Sequence, residues 1–214
     1  MIHHVNLGTA KTGTTWLYNN LIKSDQIDYQ GAKEPAVSLL SNLDQYKLYF
    51  SEYSFSLNFN PNLWSIDYDQ IEFIKKYASY ITIILRNPYS YANSMYNFHS
   101  STNEDTEYFR SITQHLDYVE ILKRWQSEKL KVLFYDDLEY DPQEFVSCIT
   151  KYVGLNEILV DPLPCNVTVY KRNINLDSKS ENQLQYNIKK LEDFLNKDLG
   201  HWYNVAVERK PKKK

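Results

Sequence analysis

The chain has 214 residues, 43% hydrophobic and 24% charged, and Lys+Arg 24 against Asp+Glu 27 gives a formal net charge of −3. This composition predicts a packed core in one domain, residues 1–208. It argues against a disordered chain and against nucleic-acid binding through bulk charge. No apolar run reaches the ~18 residues that span a bilayer, no signal-peptide pattern opens the chain, and Cys148 and Cys165 cannot make a disulfide framework or a four-cysteine zinc site; the expectation is a cytoplasmic protein without a membrane span.

Residues 2–7 read as a short strand, followed by a loop from Gly8 to Gly13 and a helix over 14–23, where Leu17 and Leu21 share a face. Residues 27–30 read as a second strand, leading to a loop with Lys33, Glu34 and Pro35. A helix over 43–53 gives way to a polar loop over 54–62, broken by Pro61, and another helix spans 69–77 with an Asp N-cap. Residues 80–85, β-branched and almost wholly apolar, form the clearest strand; it stops at Arg86-Asn87-Pro88, and a helix follows over 88–99.

A long helix from 111 or 113 to 129 precedes a core strand over 131–134. Asp141 and Pro142 open a helix that Gly154 closes. Residues 159–175 are irregular and then basic, the last helix covers 180–196, and 209–214 form a solvated basic tail. Strands alternating with helices predict an α/β, P-loop-like three-layer fold: a central parallel sheet flanked by helices. Ligands in such sheets sit beyond the carboxyl ends of the strands, where residues 8–15, 33–34 and 86–94 converge.

Gly8-x4-Gly13 has the spacing of a phosphate loop, in which backbone N–H groups turn inward and the following helix adds its positive end. Lys11 supplies a full charge, and Thr14 and Thr15 supply hydroxyls. A metal-dependent triphosphatase needs Lys after the second glycine and an acidic metal holder after a core strand. Thr14 and Arg86 stand in those places, which disfavours that chemistry.

Lys11-Thr12-Gly13-Thr14-Thr15-Trp16-Leu17 resembles the 5′-phosphosulfate motif of sulfotransferases that use 3′-phosphoadenosine-5′-phosphosulfate (PAPS). Arg86-Asn87-Pro88, with Ser94 eight residues after Arg86 and then Tyr96, is similar to that family's 3′-phosphate motif. Residues 134–138 and 191–202 extend the likeness, the latter toward the bacterial and heparan-type branch; the phosphosulfate loop is of the cytosolic type.

The resemblance implies that Lys11 contacts the bridging oxygen of the phosphosulfate and that Thr12, Gly13, Thr14 and Thr15 donate to the same group. Trp16 then lies against adenine or, equally, anchors the core. Arg86 and Ser94 hold the 3′-phosphate, for which a guanidinium fork is well suited, and Lys171 and Arg172 resemble the basic segment that closes over the nucleotide. Glu34 matches the heparan-type base, with His99 the alternative. One departure is Phe59-Asn60-Pro61, where that branch carries a second lysine; Lys33 or another cation would have to replace it.

The implied cofactor is PAPS, with PAP as product and no metal; His3-His4 reads as strand sequence, and Asn166-Val167-Thr168 as an idle glycosylation pattern. The loops at 54–62 and 98–110, which carry aromatic residues, suit a glycan or small-molecule acceptor. The competing expectations are a P-loop nucleotide kinase and a non-catalytic PAP- or carbohydrate-binding module.

Overall fold

Four short segments rich in aliphatic and aromatic residues pair into one parallel sheet: β1 (Ile2–Asn6), β2 (Phe55–Asn58), β3 (Tyr80–Leu85) and β4 (Leu130–Phe134), in the order β2-β1-β3-β4. The structure is a computed structural model and describes residues 1–35, 42–99, 116–161 and 176–203. The chain divides into two compact units, Met1–Arg86 with Glu120–Val169, and Asn87–Val119 with Tyr170–Lys214. The first unit holds the whole sheet.

Ile81, Ile83, Ile84 and Leu85 of β3 are all fully buried, as a parallel strand covered on both faces requires. One face carries His4, Asn6, Phe59 and Thr82. It is covered by α1 (Thr14–Leu21), whose Tyr18 ring lies 5.8 Å from Phe59. The same face meets α7 (Pro142–Val153), whose Tyr152 ring lies 5.2 Å from Tyr80. The other face carries His3, Ser56 and Asn58 beneath α2 (Leu43–Ser51) and α3 (Tyr68–Tyr77), with His3 5.7 Å from Tyr46 and 5.2 Å from Tyr77. The first unit therefore has the expected three layers.

Local signals set the helix ends. Asp67 and Gln70 form a reciprocal capping box that starts α3 one residue before the expected position. The Asp141 carboxylate accepts from the Glu144 N–H at 3.0 Å, and Gly154 at φ 77 closes α7, both as expected.

The expected strand at 27–30 is not one, and the true second strand, β2, lies inside the expected polar loop. Phe55, Leu57 and Phe59 alternate with Ser56 and Asn58, a half-hidden strand period. Asp28 instead intercepts the start of β2: its carboxylate accepts from the N–H of Ser54 at 2.8 Å and of Phe55 at 2.9 Å. Slight burial pushes that carboxyl up. The bonds from the Ser54 hydroxyl and from the Phe55 and Ser54 N–H groups outweigh it and hold it at about 2.

The helix expected to reach residue 129 is α5 (Tyr118–Arg124), and its expected start lies outside the described residues. It ends at Arg124, and the turn that follows is held by Ser127, whose hydroxyl accepts from the Lys129 N–H at 3.2 Å. An unanticipated helix, α6 (Tyr135–Tyr140), follows β4 directly. In the second unit α4 (Pro88–His99) packs against α8 (Ser178–Leu195), and a short 3₁₀ turn, Gly200–Trp202, ends with a buried indole. No described helix is long and apolar enough to cross a membrane.

Candidate active site

The glycine loop grows from a buried polar chain on the sheet. His4 Nε2 meets Thr82 Oγ1 at 2.9 Å, Asn6 Nδ2 donates to the same hydroxyl at 2.8 Å, and Asn6 Oδ1 accepts the Gly8 N–H at 2.9 Å. A Cβ at Gly8 would come within 2.3 Å of Thr14 Cγ2, so only glycine lets the loop turn this tightly. Thr12 Oγ1 donates to the Thr9 carbonyl at 2.7 Å, while the buried Thr9 hydroxyl has no partner among the described residues. Gly13 takes a left-handed conformation at φ 79 and begins α1 without a side-chain cap. The first-turn N–H groups of α1 are therefore not claimed by a capping side chain, the condition under which a helix start receives an anion.

Lys11 also has positive φ, 63, which is costly for a residue with a side chain. Arg86, at the end of β3, donates from Nη1 to the Lys11 carbonyl at 2.5 Å. The guanidinium in turn lies 4.2 Å from the centre of the Tyr135 ring, a cation–π contact. Tyr135 and Leu138 of α6 abut Gly13, where a Cβ would meet Leu138 Cδ2 at 2.6 Å and Tyr135 Cε2 at 3.3 Å. Lys11 and Arg86 thus belong to one cluster. Burial, and then the charge of Arg86, push the Lys11 ammonium below its usual range. Tyr135 is a member of this cluster that the sequence reading did not select. Its signal was its place in the first turn after a core strand.

Trp16 is buried, and its Nε1 donates to the Asp161 carbonyl at 3.1 Å. Asn20 Oδ1 accepts the Asp161 N–H at 2.9 Å, and Lys23 pairs with the Asp161 carboxylate at 2.6 Å. The indole is tied to the segment that follows α7.

Residues 31–35 run beside the carboxyl end of β2 on a set of fixed carbonyls. Gly31 accepts from the Tyr18 hydroxyl at 3.0 Å, Ala32 from the Tyr29 hydroxyl at 2.7 Å, Lys33 from the Phe59 N–H at 2.9 Å, and Pro35 from Asn60 Nδ2 at 2.9 Å. Glu34, exposed, is carried on this segment and pairs with Lys33, whose side chain is 15% exposed. Phe59 and Asn60, at the place where a lysine was expected, are the residues that brace it. The expectation that Lys33-Glu34 follows a strand at 27–30 is thus replaced: the pair reaches the carboxyl edge of the sheet beside β2.

Ser94 is half-buried in the middle of α4, in the second unit. His99 ends α4, and its side chain lies outside the described residues, as do Lys171 and Arg172. Among the described residues no group of three or more His, Cys, Asp or Glu side chains could hold a metal. His3 and His4 are instead buried in the sheet. Desolvation drives both imidazoles down to about 3, His3 also feeling the charge of His4.

The sulfotransferase domain profile matches residues 3–205. No curated protein matches the chain in sequence. Among solved structures, a sulfotransferase from Alicyclobacillus acidocaldarius is similar, with 16% identity, 95% of this chain and 99% of that one covered, and a TM-score of 0.65. Mouse sulfotransferase SULT7A1 complexed with PAP covers 96% of this chain and 76% of its own at 15% identity, TM-score 0.52. The sulfotransferase domain from the curacin biosynthetic pathway covers 89% of this chain and 97% of its own, with 14% identity and a TM-score of 0.55. At these identities the structural likeness bears on the fold.

Proposed function

Because the chain belongs to the sulfotransferase domain family, we propose that it moves a sulfuryl group from PAPS to a hydroxyl or amine of a glycan or small-molecule acceptor, with Glu34 as base. The observation that carries this reading is the cluster at the carboxyl ends of β1 and β3. There Arg86 grips the Lys11 carbonyl at 2.5 Å, and burial, followed by the Arg86 charge, lowers the Lys11 pKa. An anion seated there relieves the repulsion between the two cations. The Thr9 hydroxyl, unpartnered among the described residues, and the uncapped start of α1 also fit an anionic oxygen. The profile match over 3–205 supports residues 1–208 acting as one domain.

Bound PAPS supplies the activated sulfuryl group. Thr12, Gly13, Thr14 and Thr15 would hold the 5′-phosphosulfate through N–H and hydroxyl donors, and Trp16 would brace the first turn of α1. Arg86 and Ser94 would take the 3′-phosphate, with Lys171 and Arg172 adding charge. Lys11 places its cation where negative charge builds on the oxygen that the sulfuryl group leaves, so it favours the transition state over the ground state. Glu34 takes the acceptor proton, a role that typically accelerates a reaction by about 10²–10⁴. His99 remains the alternative for this role. Lys33, beside Glu34, supplies the cation that the Phe59-Asn60-Pro61 segment lacks.

Thermal unfolding and turnover test the reading together. PAP is expected to raise the melting temperature well above the effect of ATP with Mg²⁺; the reverse ranking would favour a nucleotide kinase. PAPS consumption is then followed against a panel of glycosides and small hydroxylated compounds. Glu34→Gln is expected to lower turnover by about 10²-fold or more. A protein that binds PAP but shows no turnover for this substitution to reduce would be a binding module.

A further inference from the structure

We propose that Tyr18 is a positioning residue that holds Glu34 in register with the phosphate loop; the inference rests on the reading of Glu34 as base. Tyr18 lies on α1 one turn beyond Thr14, the first residue of that helix. Its hydroxyl donates to the Gly31 carbonyl at 3.0 Å, three residues before Glu34. One helix therefore begins at the phosphate loop and, at the start of its second turn, bonds the backbone that carries the carboxylate. The bracing continues residue by residue through Tyr29 on Ala32, the Phe59 N–H on Lys33 and Asn60 on Pro35.

The ring of Tyr18 is almost wholly buried and packs against Phe59, the same residue whose N–H holds Lys33. A phenylalanine would fill that space equally well. What the hydroxyl adds is one bond, and it goes to the Glu34 segment. Burial, and then the nearby Tyr49 and Tyr53 phenols, push its ionisation up, so it stays a donor at working pH. Gly31 completes the device: a Cβ there would meet the Tyr29 ring at 2.4 Å, so the chain can double back on Tyr29 only with glycine. A carboxylate on an exposed side chain samples many positions. Fixing its backbone on both sides narrows that range, and misplacement by about 1 Å can cost 10²-fold in rate.

The test is a double-mutant cycle between Tyr18→Phe and Glu34→Gln, read as PAP released from PAPS with the best acceptor of the panel and with water alone. Tyr18→Phe is conservative, and Gly31 is partly exposed, so water can take over its carbonyl. The expected result is a kcat lowered by about 10- to 100-fold in the Tyr18→Phe protein, with PAP affinity by calorimetry unchanged. In the Glu34→Gln background the same substitution is expected to have no further effect. Equal losses in both backgrounds, or a fall in PAP affinity matching that in kcat, would overturn the proposal by making Tyr18 a general support of the fold. Wild-type kcat in Tyr18→Phe overturns it while leaving the base reading intact. Wild-type turnover in Glu34→Gln overturns the base reading itself, and the Tyr18 inference with it.

Discussion

Lys11 and Arg86 restrain each other in ways that neither would show alone. The left-handed backbone of Lys11 turns its carbonyl onto the Arg86 guanidinium, which lies against the Tyr135 ring. Arg86→Lys keeps the charge but loses both the planar face for Tyr135 and the fork that suits phosphate. It is expected to weaken PAP binding by about 10- to 100-fold, as a lost charge-assisted bond of roughly 1.5–3 kcal/mol requires, measured by calorimetry. Lys11→Ala should act differently, lowering kcat by about 10²–10³ with a smaller effect on PAP affinity, because its cation is placed for charge that develops during transfer. A Lys11→Ala protein with wild-type kcat would remove this lysine from the chemistry.

Elements carry the site by their ends. Gly13→Ala brings a side chain to φ 79 and a Cβ to 2.6 Å from Leu138, so it is expected to destabilise the fold by about 1–3 kcal/mol in urea unfolding. Asp141→Ala removes the cap of α7 and should cost about 1 kcal/mol in the same measurement while leaving turnover unchanged. The features visible in the sequence were those with local causes: the apolar run of β3, the glycines of the phosphate loop, the Asp141–Gly154 bracket of α7. β2 was hidden because Ser56 and Asn58 look like loop residues until their buried partners are seen, His3 Nδ1 on the Ser56 hydroxyl at 2.8 Å and Asn58 Nδ2 donating to the Tyr46 hydroxyl at 2.9 Å. The bracing of residues 31–35 was hidden for the same reason. Its donors come from α1, Tyr29 and the end of β2, and no sequence spacing announces that they meet. Phe59-Asn60 looked like a deficiency in the sequence and is a support in the fold.

The whole molecule should be sensitive to acid through its sheet. His3 and His4 ionise at about 3 when folded against 6.5 when free, so between these values the unfolded chain binds more protons and stability rises with pH. Their full contribution is present above about pH 6.5 and is lost as the pH falls toward 3, by up to about 1.4 kcal/mol per pH unit for each imidazole. Urea midpoints measured from pH 7 to pH 5 should fall, and His4→Gln should make that slope shallower. An unchanged slope would mean that these imidazoles do not govern the acid limit.

The strand order adds a kinetic consequence. β1, which feeds the phosphate loop, lies between two partners that come much later in the chain: His3 and Ser56 are 53 residues apart, Asn6 and Thr82 76. Long closures of this kind slow assembly. Nucleotide affinity should therefore be the last property to return during refolding, arriving only once Thr82 has come home to Asn6, well after helices such as α7 have re-formed.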